Sequence, residues 1–131
     1  MKRTVSLKKN RDFQFVYHNG RSFANRYLVL YVLERNKSSK DDPDHPENAG
    51  MYEDPGSRLG ISVSKKVGNS VVRHRLTRLI RESYRLNEDK FVGGLDLIVI
   101  ARPGAKGRNF FEIESALLHL FRKQGLIREK D

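Results

Sequence analysis

Cysteine is absent from this 131-residue chain, which excludes a disulfide framework, a thiol nucleophile and any thiolate zinc site. No apolar run approaches the length of a membrane span, and the N-terminal MKRTVSLKKNRDF has basic residues with no apolar segment behind them. Neither a transmembrane helix nor a secretory leader is expected, so the default is a soluble, cytoplasmic protein. Catalytic spacing is missing as well. His18, His45, His74 and His119 are scattered, with no HExxH or Cys/His ligand pattern and no nucleophile motif beside them. One acidic cluster, Asp41, Asp42, Asp44, His45 and Glu47, carries groups that could hold a divalent ion for a self-sufficient nuclease. Pro43 and Pro46 interrupt it, and a flexible segment is a poor template for fixed coordination. Acids are scarce overall, 16 against 26 lysines and arginines, for a net charge of +10.

That surplus favours a polyanionic partner and does not by itself choose between RNA, DNA and acidic lipid. Its distribution narrows the choice. Residues 1 to 35 carry eight basic and two acidic side chains, and residues 58 to 86 carry eight and one. Residues 36 to 57 carry two and six, and residues 87 to 131 carry eight and seven. Positive charge therefore lies in two blocks. The length suits one domain spanning residues 1 to 131, with 36 to 57 as an acidic, mobile loop: three prolines and six acids leave little there to build a core.

The second basic block reads KKVGNSVVRHRLTRLIRESYRL from Lys65 to Leu86. Wound as a helix, it places His74, Arg78, Arg81 and Arg85 at i, i+4, i+7 and i+11, with Val72, Leu76, Leu79, Ser83 and Leu86 on the opposite side. Like charges at i, i+4 repel by a few tenths of a kcal/mol each, roughly, and only Glu82 interrupts the positives. An external anion that neutralises them is the natural explanation, and the guanidinium fork matches phosphate oxygens. Gly68 permits a bend before the helix, Asn69 or Ser70 can cap it, and its free N–H groups would help hold a phosphate. The apolar side is ordinary in size and is needed for the core, which argues against a membrane-surface or calmodulin-type helix.

The rest of the chain reads as an α+β fold, a small sheet packed with helices. Asn10 is a candidate cap for a first helix stopped at Gly20, with Phe13, Val16 and Tyr17 as an aromatic stripe. Tyr27 to Leu33 is a strand in which Tyr27, Val29, Tyr31 and Leu33 share a face, and another strand is possible near Ser22 to Arg26. Leu59, Ile61 and Val63 alternate with Gly60, Ser62 and Ser64 as a half-buried strand. Leu95 to Arg102 is an inner strand. Asn109 and Glu112 form a capping box for a last helix that buries Ile113, Leu117, Leu120 and Phe121.

The segment RLGISVSKKVGNSVVRHRLTRLIRE, Arg58 to Glu82, closely resembles the signature of the bacterial ribonuclease P protein component, usually an Arg-Asn-Arg helix after a Ser-Lys-Lys-x-Gly-Asn turn. LKKNRDFQFVYHNGRSFANRYLVLYVL, Leu7 to Leu33, resembles the N-terminal part of that family, and the Ala-Arg-Pro turn near Arg102 and the late HLFRK are similar to it too. The resemblance implies a fold shared with a ribosomal protein domain, including a left-handed βαβ crossover against the general right-handed rule. It implies an endoribonuclease subunit that, with a catalytic RNA, removes the 5′ leader from precursor tRNA. The RNA subunit would hold the Mg²⁺ ions and perform the hydrolysis, leaving no active site or metal on the protein, and neither DNA nor membrane as partner. Carried over to this chain, the face for the catalytic RNA comprises Lys65, Lys66, Asn69, Arg73, Arg75, Arg78 and Arg81, to which the helix stripe adds Arg85. A cleft for the single-stranded leader comprises Phe13, Tyr17 and Tyr31. His74 departs from the family's usual Asn, exchanging an amide for an imidazole of different hydrogen-bond geometry. A structural, ribosomal-type RNA-binding protein is the alternative reading, and an aromatic stripe that merely anchors the first helix is the alternative for the cleft.

Overall fold

A computed structural model describes residues 3 to 35 and 56 to 128. Its elements run β1 (Thr4–Ser6), α1 (Asn10–Asn19), β2 (Arg21–Ala24), β3 (Leu28–Glu34), β4 (Ser57–Ser62), α2 (Ser70–Asn87), β5 (Leu95–Ala101) and α3 (Phe110–Lys123). Single 3-10 turns at Glu88–Lys90 and Pro103–Ala105 follow α2 and β5. The strands form one five-stranded sheet in the order β1-β4-β5-β3-β2. The β4/β5 and β1/β4 pairs are parallel; β5/β3 and β3/β2 are antiparallel. The α+β expectation is met, and α2 is the connection between the two adjacent parallel strands β4 and β5.

Period-2 alternation assigns the two faces of this sheet. Leu28, Leu30, Val32, Leu59, Leu97 and Val99 join Leu76 and Ile80 of α2 and Ile113, Leu117, Leu120 and Phe121 of α3 in the main core. On the other face Ile98 packs with Val16 of α1 and with Leu7, while Phe13, Tyr17, Tyr31, Leu33 and Ile100 are half-buried around them. Five of the seven residues of β5 are fully or nearly fully shielded apolar side chains, as suits a strand covered on both sides: Leu95, Leu97, Ile98, Val99 and Ala101.

Several expectations need correction. Asn10 is the first helical residue of α1; the N-cap is Lys9, whose side chain makes no capping bond. Tyr27 precedes β3 and packs toward the main core, off the face shared by Tyr31 and Leu33. Ser57 belongs to β4 and its hydroxyl accepts from the Leu95 N–H at 3.2 Å, so the strand starts inside the stretch read as loop. The acidic cluster from Asp41 to Glu47, with the rest of residues 36 to 55, lies outside the described residues. Leu86 is 54% exposed, and the buried side of α2 is Leu76, Ile80, Ser83, Tyr84 and Asn87. Tyr84 reaches β1, where the Thr4 hydroxyl donates to Glu88 Oε2 at 2.5 Å and stands 2.8 Å from the Tyr84 hydroxyl.

Candidate nucleic-acid interface

The expected site residues fall on two surfaces, one on each side of the sheet. The first is the outer face of α2. Asn69 caps the helix, its Oδ1 accepting from the Val72 N–H at 3.0 Å, which fixes the helix start directly after the Lys65/Lys66 turn. Lys65, Lys66, His74, Arg75, Arg78, Arg81 and Arg85 are exposed, and Arg73 is half-buried at the border of the apolar stripe. Their availability differs. Arg85 is held by Glu82 one turn back, through Nε at 3.0 Å and a second contact from Nη2. That hydrogen bond pulls the Glu82 carboxyl below its usual range and raises the Arg85 guanidinium. Arg75 Nη2 donates to the Arg108 carbonyl at 3.0 Å. Arg78 and Arg81 form no hydrogen bond or ion pair among the described residues. A groove passes along this helix by Ser70, Val71, His74, Arg75 and Arg78.

The second surface is the cleft between α1 and the sheet. Phe13 and Tyr17 lie one turn apart on α1 with ring centroids 6.2 Å apart, and Tyr31 reaches Tyr17 from β3 at 4.9 Å, both pairs edge-on. Burial, and then the neighbouring Tyr31, push the Tyr17 hydroxyl above its usual value, so it is neutral in ordinary buffers. Gly60 on β4 is the floor: a Cβ there would stand 2.5 Å from the tip of the Phe13 ring. The ring is therefore seated on bare backbone, a role for Gly60 that alternation alone did not reveal.

An ion network closes the neighbouring end of this cleft. Arg58 grips Asp96 with two bonds, Nε to Oδ1 at 2.9 Å and Nη2 to Oδ2 at 2.6 Å, and reaches Asp12 of α1 with Nη1 at 3.4 Å. Arg35 Nε stands 2.9 Å from the same Asp96, whose side chain is only 2% exposed. A carboxylate this buried needs such partners. Arg58 is thus a cation of the second basic block whose charge is used inside the fold.

A family model described as Ribonuclease P matches residues 1–125. The chain belongs to the ribonuclease P protein family. The ribonuclease P protein component of Lachnoclostridium phytofermentans is 50% identical over 126 residues, covering 96% of this chain and 94% of that protein. The one from Alkaliphilus metalliredigens is 47% identical over 127 residues, covering 97% and 99%. Among solved structures, the RNase P protein of Staphylococcus aureus superposes with a TM-score of 0.73 at 36% identity, covering 94% of this chain and 97% of that one. The RNase P protein of Thermotoga maritima gives 0.70 at 28% identity, covering 90% and 96%. Within the ribonuclease P family, then, this chain presents a cationic helix on one side of its sheet and an aromatic cleft on the other.

Proposed function

We propose that this chain, a ribonuclease P protein component acting in tRNA processing, binds the catalytic RNA along α2 and holds the 5′ leader of precursor tRNA in the cleft between α1 and the sheet. The observation that carries the reading is the pairing of unneutralised Arg78 and Arg81 on α2 with half-buried Phe13, Tyr17 and Tyr31 across the sheet. Arginine forks neutralise backbone phosphates whatever the sequence, and each contact adds to the salt dependence of binding. Unpaired bases stack on aromatic rings for roughly 1–3 kcal/mol each with little sequence demand, as suits a subunit that meets many leaders. Phe13 also anchors α1 on Gly60, so the anchoring and leader-binding readings describe one ring with two tasks.

Catalysis in this proposal belongs to the RNA. Among the described residues no three His, Cys, Asp or Glu side chains gather as a metal site, and buried Asp96 is occupied by Arg58 and Arg35. These residues do not fit a protein-held ion, and we assign Mg²⁺ to the RNA subunit. The protein's part is to reduce charge repulsion between two RNAs and to position the leader, in the cytoplasm where tRNA matures. No helix among the described residues is long and apolar enough to cross a membrane.

Reconstitution with the cognate catalytic RNA at low Mg²⁺ tests the proposal. Addition of the chain is expected to restore 5′ cleavage and to favour precursor tRNA with a leader over tRNA without one. Equal affinity for the two substrates would favour a purely structural, ribosomal-type role. Purified chain with Mg²⁺ and no catalytic RNA is expected to leave precursor tRNA intact.

A further inference from the structure

A groove of about 530 Å³ lies between the β2–β3 turn and the start of α3, lined by Arg26, Tyr27, Phe111, Ser115 and His119. It is built from rigid parts. Asn25 Oδ1 accepts from the backbone N–H groups of Tyr27 and Leu28 at 3.1 and 2.9 Å, and its Nδ2 donates to the Ala116 carbonyl at 2.9 Å. The turn is thereby stapled to α3. Phe111 is 74% exposed on that helix, while Ile113, Leu117 and Leu120 supply the core contacts, so folding makes little use of its ring. Phe110 meets it edge-on at 5.6 Å.

The surroundings are cationic. Arg26 lines the groove, and exposed Arg102 and Arg108 reach its lining residues Asn25 and Tyr27. The carboxylate that lines it, Glu112, accepts from the Asn109 N–H at 3.1 Å and faces Arg108 at 3.5 Å. Arg108 lies 5.1 Å above the Tyr27 ring, and its carbonyl accepts from Arg75 of α2 at 3.0 Å. Arg75 and Arg108 therefore join the positive surface of α2 directly to the rim of the groove, whereas the aromatic cleft is on the opposite face of the sheet.

We propose that this groove is a second subsite for the catalytic RNA, in which one unpaired base stacks on Phe111 while Arg26 meets the adjoining phosphate. The proposal rests on the reading of α2 as the face for that RNA. An exposed ring beside cations is the combination that single-stranded nucleic acid recognises, stacking on the ring and pairing with the charges. Continuity with α2 makes the catalytic RNA, rather than the leader, its source.

Binding of the full chain to cognate catalytic RNA, without precursor tRNA, is the test. Phe111→Ala is expected to raise Kd by about 5-fold or more with no change in salt slope, because stacking releases no counterions. Phe111→Trp should retain native affinity, and Arg26→Ala should flatten the slope by about one phosphate contact. Thermal melts should be unchanged for all three. An unaltered Kd for Phe111→Ala, with the native chain binding normally, overturns the groove alone. A loss seen only after precursor tRNA is added also overturns it, by moving the site to the substrate. Failure of the native chain to bind catalytic RNA at all would remove the α2 reading and the groove together.

Discussion

Neighbouring carboxylates decide which arginines of α2 remain available to an external anion. Arg78 and Arg81 form no ion pair among the described residues, so Arg78→Ala or Arg81→Ala should weaken binding to the catalytic RNA and flatten the salt slope by about one contact. A titration of Kd against salt concentration checks this. Arg85 behaves differently because Glu82 holds it. The lowered Glu82 pKa means that the pair persists from neutral pH down past the usual value of 4.5 and is lost only as pH falls through the folded-state value. Acidification is therefore a poor way to release Arg85. Glu82→Gln does so at neutral pH, and the same titration should then show tighter binding and a steeper slope. A single acid in a positive run looks negligible in the sequence; its i, i+3 geometry is what restrains Arg85.

At the scale of elements, local chemistry was legible and long-range chemistry was not. The α3 capping box lies within four residues, and both of its bonds form, Glu112 N–H to Asn109 Oδ1 at 2.9 Å and Asn109 N–H to Glu112 Oε1 at 3.1 Å. Of the stripe Val72, Leu76, Leu79, Ser83 and Leu86, the first four face the core and only Leu86 leaves it, because a 3.5-residue period drifts around a straight helix. Leu76, Ile80, Ser83, Tyr84 and Asn87 follow the helix's own pitch. Strand β1 has three residues and no apolar alternation to announce it; its pairing with β4 across more than fifty positions defines it. The Arg58–Asp96 grip likewise spans 38 positions, so the charge count over residues 58 to 86 does not reveal that Arg58 is engaged inside the fold. The seat of Phe13 on Gly60 gives a test at this scale. Gly60→Ala should displace the ring and reduce discrimination between substrates with and without leader, while binding of the catalytic RNA alone stays near native. Parallel affinity measurements on the three RNAs check it.

Across the whole molecule, the buried contact between Thr4 and Tyr84 ties an edge of the sheet to the basic helix. Burial raises the Tyr84 pKa above 10.0. A raised pKa means that the contribution is fully present below the unfolded value near 10 and is lost as pH climbs through the folded one. Stability should therefore fall in alkali, and Tyr84→Phe should blunt that fall while costing about 0.5–1.5 kcal/mol at neutral pH for the lost hydrogen bond. Urea melts of both proteins across pH 7 to 11 provide the check. The family resemblance, resting on Arg58–Glu82 and Leu7–Leu33, was visible in the sequence because its motif is contiguous; the groove at Phe111 was not, since it joins residues from Asn25 to His119.

Helix α2 is threaded between β4 and β5, strands that pair directly with each other. Its cationic ridge is consequently not portable. Cut free as an 18-residue peptide, it would shed the sheet that covers Leu76, Ile80 and Tyr84, and an isolated helix of that length with crowded positive charge is marginal in water. The arginines keep their spacing only while the sheet and α3 beneath them are folded, so the ridge cannot be grafted elsewhere as a bare helix.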